Sequence, residues 1–246
     1  MTYNIHRAIG VDRRFRPERV AGIAAHHSPD ILLLQEVDQG APRSQRMDLA
    51  KTFAEMLGYP YYAFGHNVTL RRGRYGNATL SRFPIVEERN IDLSIGRHKR
   101  RGCQHTTIAV PSTNAAGTQT GSRLVSVFNL HLGLLAQERA RQVGMLARTD
   151  ELRELEPDAP CVIGGDFNDW RFLLHPVFID VMGFRCATQR QASYTSNINS
   201  YPSFSPSGSL DRLYFRGLEL RSIRACRLSA SRVASDHLPV IADFVA

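Results

Sequence analysis

The sequence predicts an α/β fold in which two β-sheets pack face to face and helices cover their outer faces. Strand-like apolar runs alternate with helix-like patterns along the chain, and the strands outnumber the helices. No repeat, linker or low-complexity tract interrupts this alternation. The 246 residues are within the range that one α/β domain can fill, so we expect residues 1–246 to form a single domain.

The first part of the chain combines two helices with several strands. Residues 17–27 favour a helix, because Pro17 suits a first-turn position, and residues 46–57 favour a helix that Gly58 ends. Residues 30–37 indicate a buried strand, because a run of four aliphatic residues leads into two polar ones. Further strands are expected at residues 2–6, 59–64, 76–81 and 85–93.

The second part of the chain continues the alternation. Residues 103–110 and 123–132 indicate two strands, joined by a polar connection at residues 111–122. Residues 136–155 predict one long amphipathic helix. The Pro- and Ser-rich residues 192–209 are expected to form loops, which often carry function when they cover strand ends. The other predicted elements are strands at 160–165, 210–215, 218–228 and 238–244, and a short helix at 176–182.

The net charge of +8 and the pI near 9.7 favour an anionic partner such as nucleic acid. Almost all the positive residues are arginine, however, and such a bias often follows genomic base composition. The densest basic cluster, residues 97–101, is expected to be an exposed loop that is either simply solvated or in contact with phosphate. A general DNA-binding protein would also need a helix that reads bases, and none is found.

The cysteines and the apolar segments bear on the cellular compartment. The four cysteines are far apart and form no C-x-x-C pair, which argues against a zinc ribbon and favours reduced thiols. No stretch of eighteen apolar residues and no secretory h-region is present. We therefore expect a cytoplasmic monomer, although a secreted chain that has lost its signal would look the same.

Polar residues that could carry chemistry recur at the ends of the apolar strands. Alone, each has a plain structural explanation, such as a turn, a helix cap or a core histidine. Together they indicate a site, because buried carboxylates are costly unless they are paired or bound to a metal. Several polar strand ends are what a preorganised metal-dependent phosphoesterase requires. The residues are Asn4, Glu36, His131, Asp166 with Asn168, and Asp236 with His237, and Asp211 begins a further strand.

The segment from Gly164 to Asn168 is the most specific of these. Asp166 and Asn168 are two residues apart and are expected to point the same way. Gly165 is expected to let the backbone approach a ligand closely. A carboxylate and an amide in this arrangement can bind a hard cation or position a water against a phosphate.

Seven motifs occur in order along the chain: TYNIH, LLLQEV, YGNATLS, NLHL, GGDFND, SLDRLY and SDHLPV. In this order they resemble the endonuclease/exonuclease/phosphatase superfamily, which includes deoxyribonuclease I-like nucleases, apurinic endonucleases, bacterial sphingomyelinases and inositol-polyphosphate 5-phosphatases. The chain is most similar to small single-domain bacterial members. The resemblance implies a four-layer α/β sandwich of two mostly antiparallel sheets, with the site at one rim between them.

The resemblance also implies a metal site. Glu36 resembles the principal metal carboxylate, and Asn4 and Asp236 resemble its direct or water-mediated partners. The implied cofactor is Mg²⁺, with Mn²⁺ as a substitute. The residues expected near the substrate phosphate are His6, Arg7 and Asn77.

The remaining site residues are assigned catalytic roles by the same resemblance. Asp166 matches the carboxylate that orients or deprotonates the attacking water, and Asn168 matches an amide that holds a phosphate oxygen. His131 matches an imidazole that donates to the phosphate. Asp211 matches the carboxylate that hydrogen-bonds His237 and favours its imidazolium form. Whether His237 is a general base or a stabiliser of the transition state stays open.

The expected function is Mg²⁺-dependent hydrolysis of a phosphodiester or phosphomonoester by in-line attack of water. Nucleic acid, a phospholipid or other small phosphodiester, and a sugar or inositol phosphate compete as substrates. A nuclease should have a basic groove beside the site, whereas a lipid enzyme should expose apolar residues on its rim loops. Tyr194, Tyr201 and Phe204 either stack or touch an interface there, or simply anchor the loop. The alternative is a catalytically inactive phosphate-binding module, which the complete residue set disfavours.

Overall fold

The computed structural model describes residues 1–113, 119–188 and 198–245. Within these residues, two six-stranded sheets are formed, which we call sheet I and sheet II. Sheet I has the order β11-β12-β1-β2-β4-β3 and sheet II the order β5-β6-β7-β8-β10-β9. The strands are β1 Thr2–Asn4, β2 Ile31–Gln39, β3 Tyr61–Thr69, β4 Arg74–Ser81, β5 Ile85–Asp92, β6 Gly102–Thr113, β7 Gln119–His131, β8 Cys161–Asp166, β9 Arg185–Cys186, β10 Asp211–Arg216, β11 Glu219–Ala225 and β12 Val240–Val245.

The helices begin and end where local chemistry allows. Pro17 occupies a first-turn position of α1, and the Asp48 side chain accepts the Lys51 amide at the start of α2. Gly58 ends α2 with a left-handed φ of 68°. The helices are α1 Pro17–His27, α2 Leu49–Leu57, α3 Ala136–Leu146, α4 Asp150–Arg153 and α5 Ser231–Ala234, with short helical turns at His6–Ala8, Pro42–Ser44 and Val177–Val181.

Strand alternation divides the apolar residues into three layers. Leu32 and Leu34 of β2 pack under α1 and α2, whereas Leu33 between them faces the other sheet. In β7, Phe128 faces α3 and Val127 faces sheet I. Two outer cores and one inter-sheet core therefore hold four layers of secondary structure together. Only the β1–β2 and β7–β8 pairs are parallel among the described pairs, so the expected α/β sandwich of mostly antiparallel sheets is confirmed.

The space between the sheets changes from apolar to polar along the strands. At the polar end, Gln35 of sheet I donates to the Asn129 side chain of sheet II at 2.8 Å. Asn129 in turn donates to the carbonyls of Leu34 and Ala78, at 3.2 and 2.9 Å. Thr79 donates to Gln104 across the same gap at 2.8 Å. These buried bonds fix the spacing of the two sheets beside the rim where the polar strand ends meet.

Some predicted boundaries were wrong. Residues 136–155 do not form one helix but α3 and α4, because the Thr149 hydroxyl bonds the Leu146 carbonyl at 2.9 Å and its extended backbone caps the second helix. The first strand ends at Asn4 rather than at residue 6. The connection predicted at 111–122 is shorter, since β6 and β7 extend into it, and residues 114–118 lie outside the described residues.

Two further features bear on the expectations about thiols and membrane segments. All four cysteines are free thiols. In the part of the chain that the structure describes, none of the helices has the length and hydropathy required to cross a membrane.

Candidate active site

Strand register brings the central residues together. Asp166, the last residue of β8, lies opposite His131 of β7 on one side and Asp211 of β10 on the other. Asn4 ends β1 in the facing sheet, and its side-chain Nδ2 donates to Asp166 Oδ2 at 3.0 Å. One buried carboxylate is therefore surrounded by polar groups from both sheets.

Asp166 accepts hydrogen bonds on both of its oxygens. Oδ1 accepts the backbone amide of Asn168 at 2.9 Å, because the left-handed φ of 51° at Asn168 turns the chain back. On the other side, His131 Nε2 is 3.4 Å from Oδ2 and His237 Nε2 is 3.8 Å from it. Burial raises the pKa of Asp166 to about 6, while the charge of His237 opposes the rise. The carboxylate is thus a better proton acceptor than an exposed aspartate.

His237 is held by a second buried carboxylate. Its Nδ1 lies 2.7 Å from Asp211 Oδ2, which also accepts the Ser200 hydroxyl at 2.6 Å. Burial lowers the pKa of His237, but the charges of Asp211 and Asp166 outweigh it and raise the pKa to about 10. The ring is therefore protonated at neutral pH and both its nitrogens are donors.

His131 has the opposite protonation preference. Burial, followed by the charges of Arg101 and Lys99, holds the pKa of His131 well below its usual range. Its Nδ1 is buried without a partner among the described residues. A neutral imidazole and an imidazolium thus lie on two sides of Asp166.

Glu36 is aimed at the rim by its backbone. The β2–β4 register shifts between Leu34 and Val37, and within this bulge Glu36 has a φ of 60°. Bulges of this kind redirect a side chain, and a left-handed non-glycine residue is strained unless its surroundings hold it. Arg7 Nε is 3.6 Å from Glu36 Oε2.

Glu36 and Asp236 are the half-buried carboxylates of the site, whereas Asp166 and Asp211 are fully buried. Half-buried carboxylate oxygens are suitable ligands for a hard divalent cation. The Asn4 Oδ1 accepts the His6 amide at 3.1 Å and has a second lone pair to offer. Glu36, Asp236 and Asn4 thus each carry an oxygen of the kind that Mg²⁺ or Mn²⁺ binds, and their role as metal ligands stays a prediction.

Asp166, Asp211 and His237 also place their ligand atoms within 4.8 Å of one another. This group does not need an ion, because an imidazolium already lies between the two carboxylates. While His237 Nδ1 keeps its 2.7 Å contact with Asp211, only Nε2 of this ring could bind a metal, and only if the ring were neutral. We therefore favour the half-buried carboxylates as the metal ligands.

Three of the side chains expected to contact phosphate form hydrogen bonds with backbone carbonyls of the protein. The side chain of Asn77 donates to the carbonyls of Gly102 and Asn129 at 3.3 and 3.1 Å, and so bridges the sheets. His6 Nδ1 lies 2.9 Å from the Ile9 carbonyl within its own turn. The Asn168 side-chain Nδ2 donates one of its two hydrogens to the Leu132 carbonyl at 3.0 Å, which leaves the second hydrogen and the Oδ1 acceptor for other partners. A phosphate contact by these residues stays a prediction.

Gly165 has a role in strand packing that was not expected. Its φ is 140°, and a Cβ there would collide with the backbone oxygen of Leu130 in the neighbouring strand β7. This glycine therefore permits a close approach between two parallel strands, which the sequence did not predict. A close approach of its backbone to a ligand stays a prediction.

Several supporting residues were not predicted. Ser200 orients Asp211, and the Ser235 hydroxyl donates to the Asn4 carbonyl at 2.7 Å, which ties β1 to the last site segment. Asp169 Oδ2 accepts Arg212 at 3.1 Å, and its oxygens also accept two amides after β8. Asp169 directly follows the predicted Asn168 in the motif GGDFND, and Arg212 directly follows the predicted Asp211 in SLDRLY. Their position next to predicted site residues is the sequence feature that could have identified them.

The loops around the site expose apolar side chains. Leu134 and Trp170 are 72% and 54% exposed, and Phe204 is 64% exposed. Trp170 contacts the Tyr201 ring at 5.5 Å, and Tyr201 contacts the His237 ring at 4.9 Å. Tyr201 therefore anchors the loop against the site, while Tyr194 lies outside the described residues. We call the exposed set the apolar rim: Leu134, Leu135, Trp170, Leu173 and Phe204.

Comparisons with known proteins agree with this geometry. A model of the endonuclease/exonuclease/phosphatase family matches residues 1–237. The uncharacterized protein YbhP of Escherichia coli (strain K12) is 30% identical over 253 residues, which cover 99% of this chain and 94% of that protein. The mannosyl-6-phosphatase Bt3783 of Bacteroides thetaiotaomicron has a TM-score of 0.72 at 18% identity, covering 100% of this chain and 98% of that chain. TDP2 of D. rerio, complexed with a single strand DNA product, has a TM-score of 0.72 at 15% identity, covering 100% and 97%. The two solved structures share the fold described above.

Proposed function

The chain belongs to the endonuclease/exonuclease/phosphatase family, and from this premise we propose that it is a divalent-metal-dependent hydrolase of phosphate esters. The observation that carries the proposal is the environment of Asp166. This buried carboxylate receives Asn4 from one sheet and lies 3.4 and 3.8 Å from the two histidines. The mannosyl-6-phosphatase and the DNA-bound TDP2 with the same fold support a phosphate ester as the substrate class.

We assign the attacking water to Asp166. With a pKa raised to about 6, its carboxylate is ionised at pH 7 yet accepts a proton more readily than an exposed aspartate. The bonds from Asn4 and from the Asn168 amide hold it in one orientation. A water beside it would be positioned for in-line attack at phosphorus.

We assign stabilisation of the phosphate charge to the histidines. His237 is kept protonated by Asp211 and so would donate to a phosphate oxygen rather than act as a base. His131, neutral and adjacent, would add a second donor. Glu36, Asp236 and Asn4 would hold Mg²⁺, or Mn²⁺ in its place, and the bound ion would neutralise charge on the phosphate oxygens.

Within this reaction, the apolar rim favours an amphiphilic phosphate ester over nucleic acid. The rim residues are each more than half exposed, and apolar surface of this kind marks a binding site where it is contiguous. Leu134 follows Leu132, which accepts the Asn168 amide, and Phe204 follows Ser203, whose amide donates to the Asp236 carbonyl. An acyl or other apolar group attached to the phosphate would therefore meet apolar surface as soon as it left the site.

The reaction can be tested with purified protein and Mg²⁺ or Mn²⁺ on 4-nitrophenyl phosphate and on its bis-ester. We expect metal-dependent turnover that EDTA abolishes, and a loss of roughly 10²-fold or more in Asp166→Asn and in His237→Gln. Asp150→Asn, an exposed carboxylate of α4, is the matched control and should turn over like the wild type. Absence of turnover on every ester would favour an inactive phosphate-binding module, and unchanged turnover in both site variants would contradict the assigned roles.

A further inference from the structure

Arg101 is a buried cation without a counter-charge. It is 5% exposed, and its Nε has no hydrogen-bond partner in the part of the chain that the structure describes. No carboxylate of the described residues forms an ion pair with it, and residues 114–118 and 189–197 contain no Asp or Glu. Its backbone is held by Ser94, whose hydroxyl accepts the Arg101 amide and donates to the Arg101 carbonyl, both at 3.3 Å.

The other two buried arginines have carboxylate and carbonyl partners that offset the cost of burying their charge. Arg212 is fully buried and donates to Asp169 and to the Ser209 carbonyl, both at 3.1 Å. Arg139, also 5% exposed, has an unpartnered Nε as well, but its terminal nitrogens donate to the Leu134 carbonyl at 2.6 Å and lie 3.7 Å from Asp169. A buried charge that lacks such partners carries a large desolvation cost, so its retention at Arg101 indicates an anion supplied from outside the chain.

Arg101 directly precedes β6, in which Cys103 pairs with Leu130, the residue before His131. The strand register therefore places Arg101 near the strand end that carries His131. The charge of Arg101 contributes to the lowered pKa of His131, and it opposes the rise in the pKa of Tyr75 that burial and Glu36 cause. Lys99 extends over the Tyr75 ring, with Nζ 4.8 Å from the ring centre and 3.4 Å from the hydroxyl. Lys99 is exposed, and the charge of Glu36 partly opposes the lowering of its pKa that burial and Arg101 cause. Among the described residues, neither Arg101 nor Lys99 forms an ion pair with a carboxylate.

We propose that Arg101, assisted by Lys99, forms a subsite for the oxygens of a phosphate dianion, so that the preferred substrate carries a terminal phosphomonoester. The inference rests on the proposed function and names the substrate class of that same site. A phosphomonoester carries nearly two negative charges at pH 7, whereas a diester carries one. Two cations that form no ion pair among the described residues match the monoester, and a planar guanidinium can donate to two phosphate oxygens at once. The expectation that residues 97–101 form an exposed loop is thereby corrected at Arg101, because this side chain turns inward.

The first test separates binding from structure and needs no turnover. In Arg101→Met, the ligand-free protein should unfold at the same temperature as the wild type or higher, because an uncompensated buried charge is removed. Arg139→Met, equally buried but ion-paired, should unfold at a lower temperature. Inorganic phosphate, titrated by calorimetry, should bind Arg101→Met roughly 10- to 100-fold more weakly than wild type, the effect of losing a charge-assisted hydrogen bond. Destabilisation like that of Arg139→Met, with unchanged phosphate affinity, would overturn the proposal.

The second test addresses the charge of the substrate. Arg101→Met should raise KM for 4-nitrophenyl phosphate at least several-fold more than for the bis-ester, and Arg101→Lys should restore part of the loss. Equal losses on the two esters would overturn the preference for a dianion. Phosphate binding that depends on Arg101 in a protein without turnover would uphold the subsite while contradicting the hydrolase proposal, so the two failures are distinguishable.

Discussion

Two histidines on either side of one carboxylate hold opposite protonation states. His237 is drawn toward the imidazolium form by Asp211 and Asp166, whereas burial and nearby cations keep His131 neutral. The difference arises from neighbours, since both rings are buried. Proton donors of two different strengths are thus available beside Asp166 before any substrate arrives.

The His237 environment predicts how stability depends on pH. Its folded pKa, about 10, is above the unfolded value of about 6.5, so its contribution to the free energy of unfolding is complete below pH 6.5 and is lost as pH rises toward 10. In EDTA, the wild type should lose more stability between pH 6.5 and 10 than His237→Gln does, as measured by urea unfolding. Parallel pH profiles for the two proteins would contradict the assigned protonation.

The strained backbone of Glu36 allows a test that separates charge from conformation. Glu36→Asn and Glu36→Val both remove the carboxylate, but asparagine tolerates a left-handed φ and valine does not. Neither variant should be stabilised by Mg²⁺ in thermal unfolding, and the valine variant should be about 1–2 kcal/mol less stable than the asparagine variant. Normal Mg²⁺ stabilisation of Glu36→Asn would exclude Glu36 as a ligand.

Residue identities at the site were more predictable than residue partners. Asp166 and Asp211 were expected from ordered motifs, and the structure places them in neighbouring strands. Arg101 could not be singled out, because it ends a basic run of the kind that is usually solvated. Burial of one member of such a run depends on tertiary contacts, which a single sequence does not report.

At the scale of elements, β8 is built for close packing on two sides. Gly164 faces the space between the sheets. A Cβ there would lie 2.6 Å from a methyl group of Leu213 in the neighbouring strand β10 and 2.8 Å from a methyl group of Leu33 in sheet I. Gly165 instead abuts the backbone of β7. The strand that carries Asp166 is therefore pressed against flexible side chains at one position and against fixed backbone at the next.

This difference predicts the order of two substitutions. Gly164→Ala should cost about 1–3 kcal/mol, because methyl groups can shift to accept the extra carbon. Gly165→Ala should cost more, because the Leu130 carbonyl cannot move without breaking the parallel ladder and because the φ of 140° is unfavourable for alanine. Urea unfolding of the two variants measures both costs, and a milder effect at Gly165 would refute this account of the strand.

Element prediction succeeded where the pattern was long. The helix Pro17–His27 has the predicted bounds, and every predicted strand exists within a few residues of its expected position. The two-residue strand β9 and the four-residue helix α5 were missed, because neither is long enough to show a period. Thr149 lies at the break between α3 and α4, and its hydroxyl bonds the Leu146 carbonyl. The prediction of one long helix used only the spacing of apolar residues, which does not show such a hydrogen bond.

At the scale of the whole molecule, the order of strands within each sheet could not be predicted from the sequence. Sheet I combines β1 to β4 with β11 and β12, whereas sheet II contains β5 to β10. Apolar alternation shows that a strand has an inner and an outer face but not which strand lies beside it. The architecture was predicted through the resemblance of ordered motifs, and the single-domain interpretation of residues 1–246 stays a prediction.

The molecule has one tryptophan, and it belongs to the apolar rim. If the rim contacts amphiphilic substrates, anionic phospholipid vesicles should shift Trp170 fluorescence to shorter wavelength, aided by the net charge of +8. Replacing Leu134 and Leu135 together by serine should weaken vesicle binding at least about 10-fold, given roughly 1.5–3 kcal/mol for each buried leucine.

Val86→Ser is the matched control for that experiment, because Val86 is equally exposed but lies on β5 rather than on the rim. It should bind vesicles like the wild type. An unchanged Trp170 spectrum with vesicles, together with salt-sensitive binding of single-stranded DNA, would favour a nuclease instead.

The hydrogen bond from Ser235 to the Asn4 carbonyl joins residues 231 positions apart. Sheet II comes from one continuous segment of the chain, β5 to β10, whereas sheet I joins β1 to β4 with β11 and β12, which are far away in sequence. A nascent chain that stops before Ser235 carries Asp166 and His131 but lacks His237. Any hydrolytic capacity of this site therefore requires Asn4 and His237 in the same chain, together with the strands between them.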